Sequence, residues 1–163
     1  MTDITIRPAT EADADVIWTM LEPVIRAGET YALPRDMSRR DAQAYWFAAA
    51  NTVLLAERDG AVLGTYYLRA NVPGGGDHVC NCGYVTAPAA QGRGVARAML
   101  ADSLDRARAA GFRAMQYNFV ISTNTRAVDT WTRAGFETVG RLPGAYRHPQ
   151  RGNVDALVMF RQL

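Results

Sequence analysis

The spacing of apolar positions changes several times along the chain, and each change marks an element. Ile4 to Arg7 alternates apolar and polar and stops at Pro8, which predicts a short strand. Thr10 and Asp13 have the spacing of a capping box. Val16, Ile17, Met20, Leu21 and Val24 then recur at helical intervals, and Pro23 predicts a kink or break. AGETYALPRDMS reads as a loop, and Ser38 as the cap of a second helix whose apolar face carries Ala44, Phe47 and Ala48. From Thr52 the period falls to two. TVLLAER and VLGTYYLRA predict strands joined at Asp59-Gly60, a pair favoured in tight hairpins. NVPGGGD reads as a loop and HVCNCGYVTAP as a strand ending at Pro88. A Gly-containing turn then opens a helix that stops at Gly111. AMQYNFVIS predicts a strand, NTRAVDTWTRAGF a helix closed by Gly135, and ETVGRL and VDALVMFR the final strands.

The resulting order, βααβββαβαββ, predicts one α/β domain over residues 1–163. Its sheet is mixed and mostly antiparallel, of about seven strands with four helices, and includes one right-handed β-α-β unit around the Gly-containing turn. Composition narrows the class. The chain has 163 residues, enough for one real core, and its apolar fraction of 48% is ordinary. Crossing a bilayer needs an apolar run of about 20 residues, and none is present. MTDITIRPAT does not read as a signal peptide, so a cytoplasmic protein is expected. The net charge of +2 gives no reason to expect nucleic acid or a membrane as partner. Every basic residue except the histidines is arginine, which suits planar contacts to phosphate or carboxylate. Cys80 and Cys82 lie two apart in a predicted strand and point the same way. They predict neither a disulfide nor a metal site.

The chemistry concentrates at APAAQGRGVARAML. A strand feeding a Gly-containing turn and then a helix is a place to bind anions. The first helical N–H groups lack internal partners, and the helix dipole adds positive charge at that end. No Lys-Ser/Thr follows the glycines, so it is not a Walker loop, and the glycine spacing is not that of the dinucleotide fingerprint.

Gln91-Gly92-Arg93-Gly94-Val95-Ala96 resembles the Q/R-x-x-G-x-G/A signature of the GCN5-related N-acetyltransferases, with Val85 and Pro88 matching its V-x-x-P lead-in. NTRAVDTWTRAGF looks like that family's N-x-x-A-x-x-x-Y-x-x-x-G-F helix, and the order of elements matches along nearly the whole chain. The resemblance implies acetyl-CoA as co-substrate and no metal. It places the pyrophosphate on the backbone N–H groups from Gly92 to Ala96, beside Gln91 and with Arg97 close by. The pantetheine arm would lie in a gap between the splayed fourth and fifth strands, against backbone near Tyr84, Val85 and Thr86, with an oxyanion donor near Val85. Asn124 matches an asparagine that meets the arm; a helix N-cap is its other, compatible role.

Two departures stand out. The family's frequent tyrosine acid falls at Trp131, whose indole donates a hydrogen bond but supplies no proton; packing beside the thioester arm is the role left to it. The frequent glutamate base is missing, and Cys80, Asn81 and Cys82 stand at that part of the strand. Asn81, Asn118 and Asn124 are similar to the asparagine pattern of the fungal N-acetyltransferases acting on azetidine-2-carboxylate and other proline analogues. That similarity makes Asn81 and Asn118 the catalytic candidates. Strand asparagines that merely satisfy backbone groups are the alternative. Tyr117 should point away from Asn118. The family's acceptor side corresponds to GETYALPRD and LPGAYRHPQRGN, which offer Tyr31, Tyr146 and Arg147 to the substrate, Arg147 as a carboxylate partner, with Glu29 and His148 as weaker candidate bases. The expected function is acetyl transfer to a small-molecule amine, an amino acid or cyclic imino acid. A protein or peptide acceptor and a non-catalytic CoA-binding module are the alternatives, and a homodimer is the macromolecular partner the family suggests.

Overall fold

The computed structural model describes residues 3–163. In chain order it contains β1 (Thr5–Pro8), α1 (Ala14–Ala27), α2 (Arg39–Trp46), β2 (Thr52–Arg58), β3 (Ala61–Ala70), β4 (Val79–Thr86), α3 (Val95–Ala109), β5 (Ala114–Ile121), α4 (Thr125–Arg133), β6 (Glu137–His148) and β7 (Gly152–Gln162). The seven strands form one sheet in the order β1-β2-β3-β4-β5-β7-β6. Every neighbouring pair is antiparallel except β4 and β5. No described helix is long and apolar enough to cross a membrane.

Local chemistry sets the boundaries. Thr10 and Asp13 form the capping box, and two hydrogen bonds of 2.9 Å from Arg7 hold the Asp13 carboxyl well below the usual carboxylate range. Helix α1 runs through Pro23 to Ala27, so the proline does not end it. An interior proline costs about 3 kcal/mol. Burying each of Ile17, Met20, Leu21 and Ile25 returns about 1.5–3 kcal/mol, and Ile25 lies beyond the proline, so packing wins. Ser38 accepts from Asp41 N at 3.1 Å and caps α2. The buried face of α2 is Ala42 and Trp46; Ala44 is exposed, because at 3.6 residues per turn it lies on nearly the opposite side of the helix from both. Asp59 and Gly60, both at positive φ, make the β2–β3 turn.

The sheet separates two cores. Ile17, Met20, Trp46, Leu55 and Val85 pack on the face carrying α1 and α2. Cys80, Cys82, Met99, Leu104, Met115 and Phe136 pack on the face carrying α3 and α4. β6 continues to His148 and turns directly into β7, so residues 143–148 are strand where the sequence suggests a loop. Tyr146, Arg147 and His148 are held there by pairing with β7 rather than by an apolar pattern, and Pro143 to Ala145 form a bulge in which Gly144 N donates to Asp155 Oδ1 at 2.8 Å.

β4 and β5 meet only at Val79↔Ala114 and Cys80↔Met115, with Arg113 N donating to His78 O at 2.8 Å. Beyond that they diverge. A register shift in the β5–β7 pairing between Tyr117 and Val120 accompanies the divergence, as a bulge bends a strand.

Candidate active site

The split exposes one edge of β4. Asn71 N donates to Val79 O and Ala87 N donates to Leu63 O, and the β3–β4 register between them is unbroken. Antiparallel alternation therefore turns Asn81, Gly83 and Val85 toward β3 and Cys82, Tyr84 and Thr86 into the split. Among the residues expected along this edge, Tyr84 and Thr86 turn their backbone groups toward the gap. Val85 does not: its polar backbone groups face β3, and its buried side chain joins the core under α1 and α2. Cys82 is the edge residue that motif matching misses.

One gap-facing group is already taken. The Tyr31 hydroxyl donates to Tyr84 O at 2.9 Å, bringing the α1–α2 loop across the split. A cavity of about 220 Å³ opens there. Its walls include Tyr31, Asn81, Tyr84, Asn118, Asn124 and Trp131, six of the residues named from sequence, together with Tyr117. Tyr117 borders the same cavity as Asn118 despite strand alternation, because the opening passes between strands and meets side chains from both faces.

The far wall is aromatic. Trp131 lies 5.2 Å from the Tyr84 ring and 4.9 Å from the Tyr117 ring, and Tyr84 and Tyr117 share a 3.0 Å hydroxyl contact. Ser103 on α3 meets the Tyr84 hydroxyl at 2.8 Å. Burial raises the phenols of Tyr31, Tyr84 and Tyr117 well above the ordinary tyrosine value, and it pushes up the Cys82 thiol too. These groups stay protonated at neutral pH. Cys82 is a thiol and no nucleophile.

Asn81, buried, donates through its side-chain nitrogen to Gln116 O at 2.9 Å where the strands part. The amide oxygen has no protein donor among the described residues. Asn118 is exposed and engaged at both ends: it donates to Asn71 Oδ1 at 2.6 Å and accepts from Gln116 Nε2 at 2.9 Å. It ties the loop after β3 to β5 at the cavity rim. Gly83 has a steric reason to be glycine, since a Cβ there would come within 2.5 Å of the Tyr67 ring.

At the other end of β4, Gly92 and Gly94 sit at φ of 75° and 80°. Left-handed backbone accounts for both glycines, because an added Cβ would meet no protein atom within 4 Å at either. Gly94 is the N-cap of α3 and offers no side chain to cap it. The first intrahelical bond is Ala98 N to Gly94 O at 3.0 Å, leaving the N–H groups of Val95, Ala96 and Arg97 ahead of it. Arg93 N is not among the free donors; it turns back to Ala90 O at 3.3 Å. Gln91 and the Arg93 side chain are exposed beside the turn. Asn124 N-caps α4, its oxygen accepting from Ala127 N at 3.4 Å.

The expected acceptor residues divide. Tyr31 lines the cavity. Tyr146 instead donates to Gly28 O at 2.5 Å, tying β6 to the end of α1. Arg147 is exposed on β6, paired with Asn153, and outside the cavity, because strand pairing turns it to solvent. His148 is buried and lines a second, polar cavity of about 290 Å³ with Glu29, Arg126 and Arg151; this cavity shares Thr30 and Asn124 with the first. Its Nδ1 accepts from Gln150 N at 3.1 Å, which leaves the proton of the neutral ring on Nε2. Sequence reasoning also missed Arg69, Tyr45 and Tyr67, all lining the first cavity. Alternation in YYLRA puts Tyr67 and Arg69 on one face. The missing information was which strand lay beside them.

A sheet opened between its two parallel strands, with an uncapped helix start beside the opening, is built to hold a long ligand with an anionic end. Comparisons with known proteins define it further. The model of the acetyltransferase (GNAT) family matches residues 18–136, and the chain belongs to that family. The N-acetyltransferase aca1 of Schizosaccharomyces pombe is 27% identical over 151 residues, covering 82% of this chain and 72% of its own. The structure of a GCN5-related N-acetyltransferase from Kribbella flavida matches with a TM-score of 0.93 at 38% identity, over 98% of each chain. A GNAT superfamily phosphinothricin acetyltransferase from Sinorhizobium meliloti, solved in complex with acetyl-CoA, has a TM-score of 0.86 at 22% identity, over 99% of this chain and 89% of its own; it shares the fold.

Proposed function

We propose that the protein transfers the acetyl group of acetyl-CoA to the amine of a small amino acid or cyclic imino acid, by direct attack on the thioester. The observation that carries this is the cavity at the split: about 220 Å³, walled by aromatic rings and bordered by gap-facing β4 amides. Clefts for drug-sized ligands run about 300–1,000 Å³, so this one suits a smaller acceptor. The N–H groups of Gly92, Gly94, Val95 and Ala96 take the diphosphate. The donor's amides pair with the free edge at Tyr84 and Thr86, as a strand is added to an open edge. Trp131 packs beside the arm.

Asn81 is the group nearest the chemistry. Its bond to Gln116 O fixes the side chain, and its amide oxygen accepts from the attacking amine. Asn118 holds the rim. A gap-facing β4 N–H, of Cys82 or Tyr84, stabilises the developing oxyanion. Among the described residues no Asp, Glu or His lines this cavity, so the amine sheds its proton to water, with Thr30 and Asn124 leading toward the polar second cavity. The thiolate leaves without an acid: a thiol pKa of about 8.5 already makes it a tolerable leaving group.

Thiol release from acetyl-CoA should be measured across α-amino acids, azetidine-2-carboxylate, polyamines, a lysine peptide and a peptide with a free α-amine. The expected best substrates are small amino or imino acids. Turnover of peptides alone would move the assignment to a protein acceptor, and tight CoA binding with no turnover would leave a binding module.

A further inference from the structure

We propose that Arg69 recognises the acceptor's carboxylate and that its placement selects an α-amino or α-imino acid. This rests on the acetyl-transfer reading and adds a residue and a geometry to it.

Arg69 stands directly opposite Asn81 in the β3–β4 register. Opposed residues in an antiparallel pair share a face, with Cβ atoms about 5 Å apart. Both side chains line the cavity. The Arg69 guanidinium lies over the Tyr67 ring, 5.5 Å from its centroid, on an aromatic platform. Its Nε is buried and has no hydrogen-bond partner. Arg7, Arg26, Arg39, Arg106, Arg108 and Arg141 each pair with a carboxylate; among the described residues none pairs with Arg69. Arg58 also has an orphaned Nε, but it lies at the end of β2, outside the cavity.

Among the described residues, Arg69 is the only charged side chain on the cavity wall. A half-buried guanidinium without an anion is poorly compensated, and a carboxylate satisfies it with two parallel hydrogen bonds. The same charge repels a second ammonium, which disfavours polyamines. The placement is also selective. Arg69 and Asn81 are opposed across β3 and β4, so a carboxylate on Arg69 and an amine at the Asn81 oxygen belong together on one short acceptor such as an α-amino or α-imino acid.

The test compares each acceptor with its own carboxamide, for the common α-amino acids and azetidine-2-carboxylate, in the wild type, Arg69→Gln and Arg69→Lys. The wild type should prefer the acid of its best acceptor by roughly 10–10²-fold in kcat/KM, because the carboxamide replaces a hydrogen bond between charged partners by a weaker one to a neutral group. Arg69→Gln should erase that preference by raising KM for the acid while leaving carboxamide turnover in place, and Arg69→Lys should restore part of it. Melting temperature and acetyl-CoA affinity of both variants should match the wild type, which separates recognition from folding. Equal use of acid and carboxamide by the wild type, or an equal loss on both in Arg69→Gln, overturns the assignment. Calorimetric titration of the same acid and carboxamide pairs into the CoA-bound protein needs no turnover. If no amine is acetylated, the acetyl-transfer reading fails, and acid-selective binding that disappears in Arg69→Gln still upholds Arg69; binding without acid preference overturns it.

Discussion

At the scale of single residues, two hydrogen bonds in the split carry opposite consequences. Asn81 gives its nitrogen to Gln116 O, and the proposed reaction uses its oxygen for the acceptor. Asn81→Ala removes a hydrogen bond to a group that becomes charged during attack, worth about 1.5–3 kcal/mol, so kcat should fall roughly 10–100-fold. Steady-state kinetics on the best acceptor checks this, and unchanged kcat would return Asn81 to the role of a strand asparagine tying β4 to β5. Tyr31 works the other way. Its hydroxyl occupies the Tyr84 carbonyl that the donor's arm should use. Tyr31→Phe frees that carbonyl, and since one such bond is worth about 0.5–1.5 kcal/mol net, acetyl-CoA should bind roughly 2- to 10-fold tighter by calorimetry. Weaker binding would mean that Tyr31 supports the donor rather than competing with it. Neither bond could be read from sequence. The types and positions of Asn81 and Tyr31 were legible; their partners, a backbone carbonyl on β5 and another on β4, exist only once the sheet has opened.

At the scale of elements, the turn before α3 was the most legible feature, because its chemistry is local. Gly94 leaves the helix uncapped and adopts a left-handed conformation with open space around it. Gly94→Ala therefore meets no clash and bears only the conformational penalty of about 1–2 kcal/mol. In a protein of this length each kcal/mol shifts melting by about 2–4 °C, so roughly 2–8 °C should be lost in the absence of ligand. The rise in melting temperature on adding acetyl-CoA should shrink too if, as proposed, the same turn holds the diphosphate. Normal melting in Gly94→Ala would show that the turn does not need the left-handed residue. The Asp59-Gly60 hairpin and the Ser38 cap were legible for the same reason. The outer half of β6 was not. In PGAYRH, Pro143 to Ala145 bulge out of the ladder and Tyr146 to His148 become strand through pairing with β7, so Tyr146 and Arg147 do not line the first cavity. Arg69 is the converse case: an ordinary strand arginine in sequence becomes a site residue because β4 lies beside β3.

At the scale of the whole molecule, the split sheet joins two cavities of different character. The first is walled by aromatic rings, amides and one guanidinium, and the second holds Glu29 and His148. Long-range pairing creates both, which is why the motifs pointed to the donor side better than to the acceptor side. The division has a kinetic consequence. The phenols and the thiol in the first cavity are held protonated by burial, and among the described residues no carboxylate or imidazole lines it. The ionisation that controls the rate is then the acceptor's own. Below its pKa the amine is an ammonium without a free electron pair, so kcat/KM should rise tenfold per pH unit and level off at the amine's pKa. Replacing the acceptor by an analogue whose amine is one unit less basic should move the limb down by one unit. An enzymic base would keep it in place. If the limb stays at one pH for every acceptor and moves in His148→Gln or Glu29→Gln, proton removal runs through the second cavity's side chains, and water alone does not suffice.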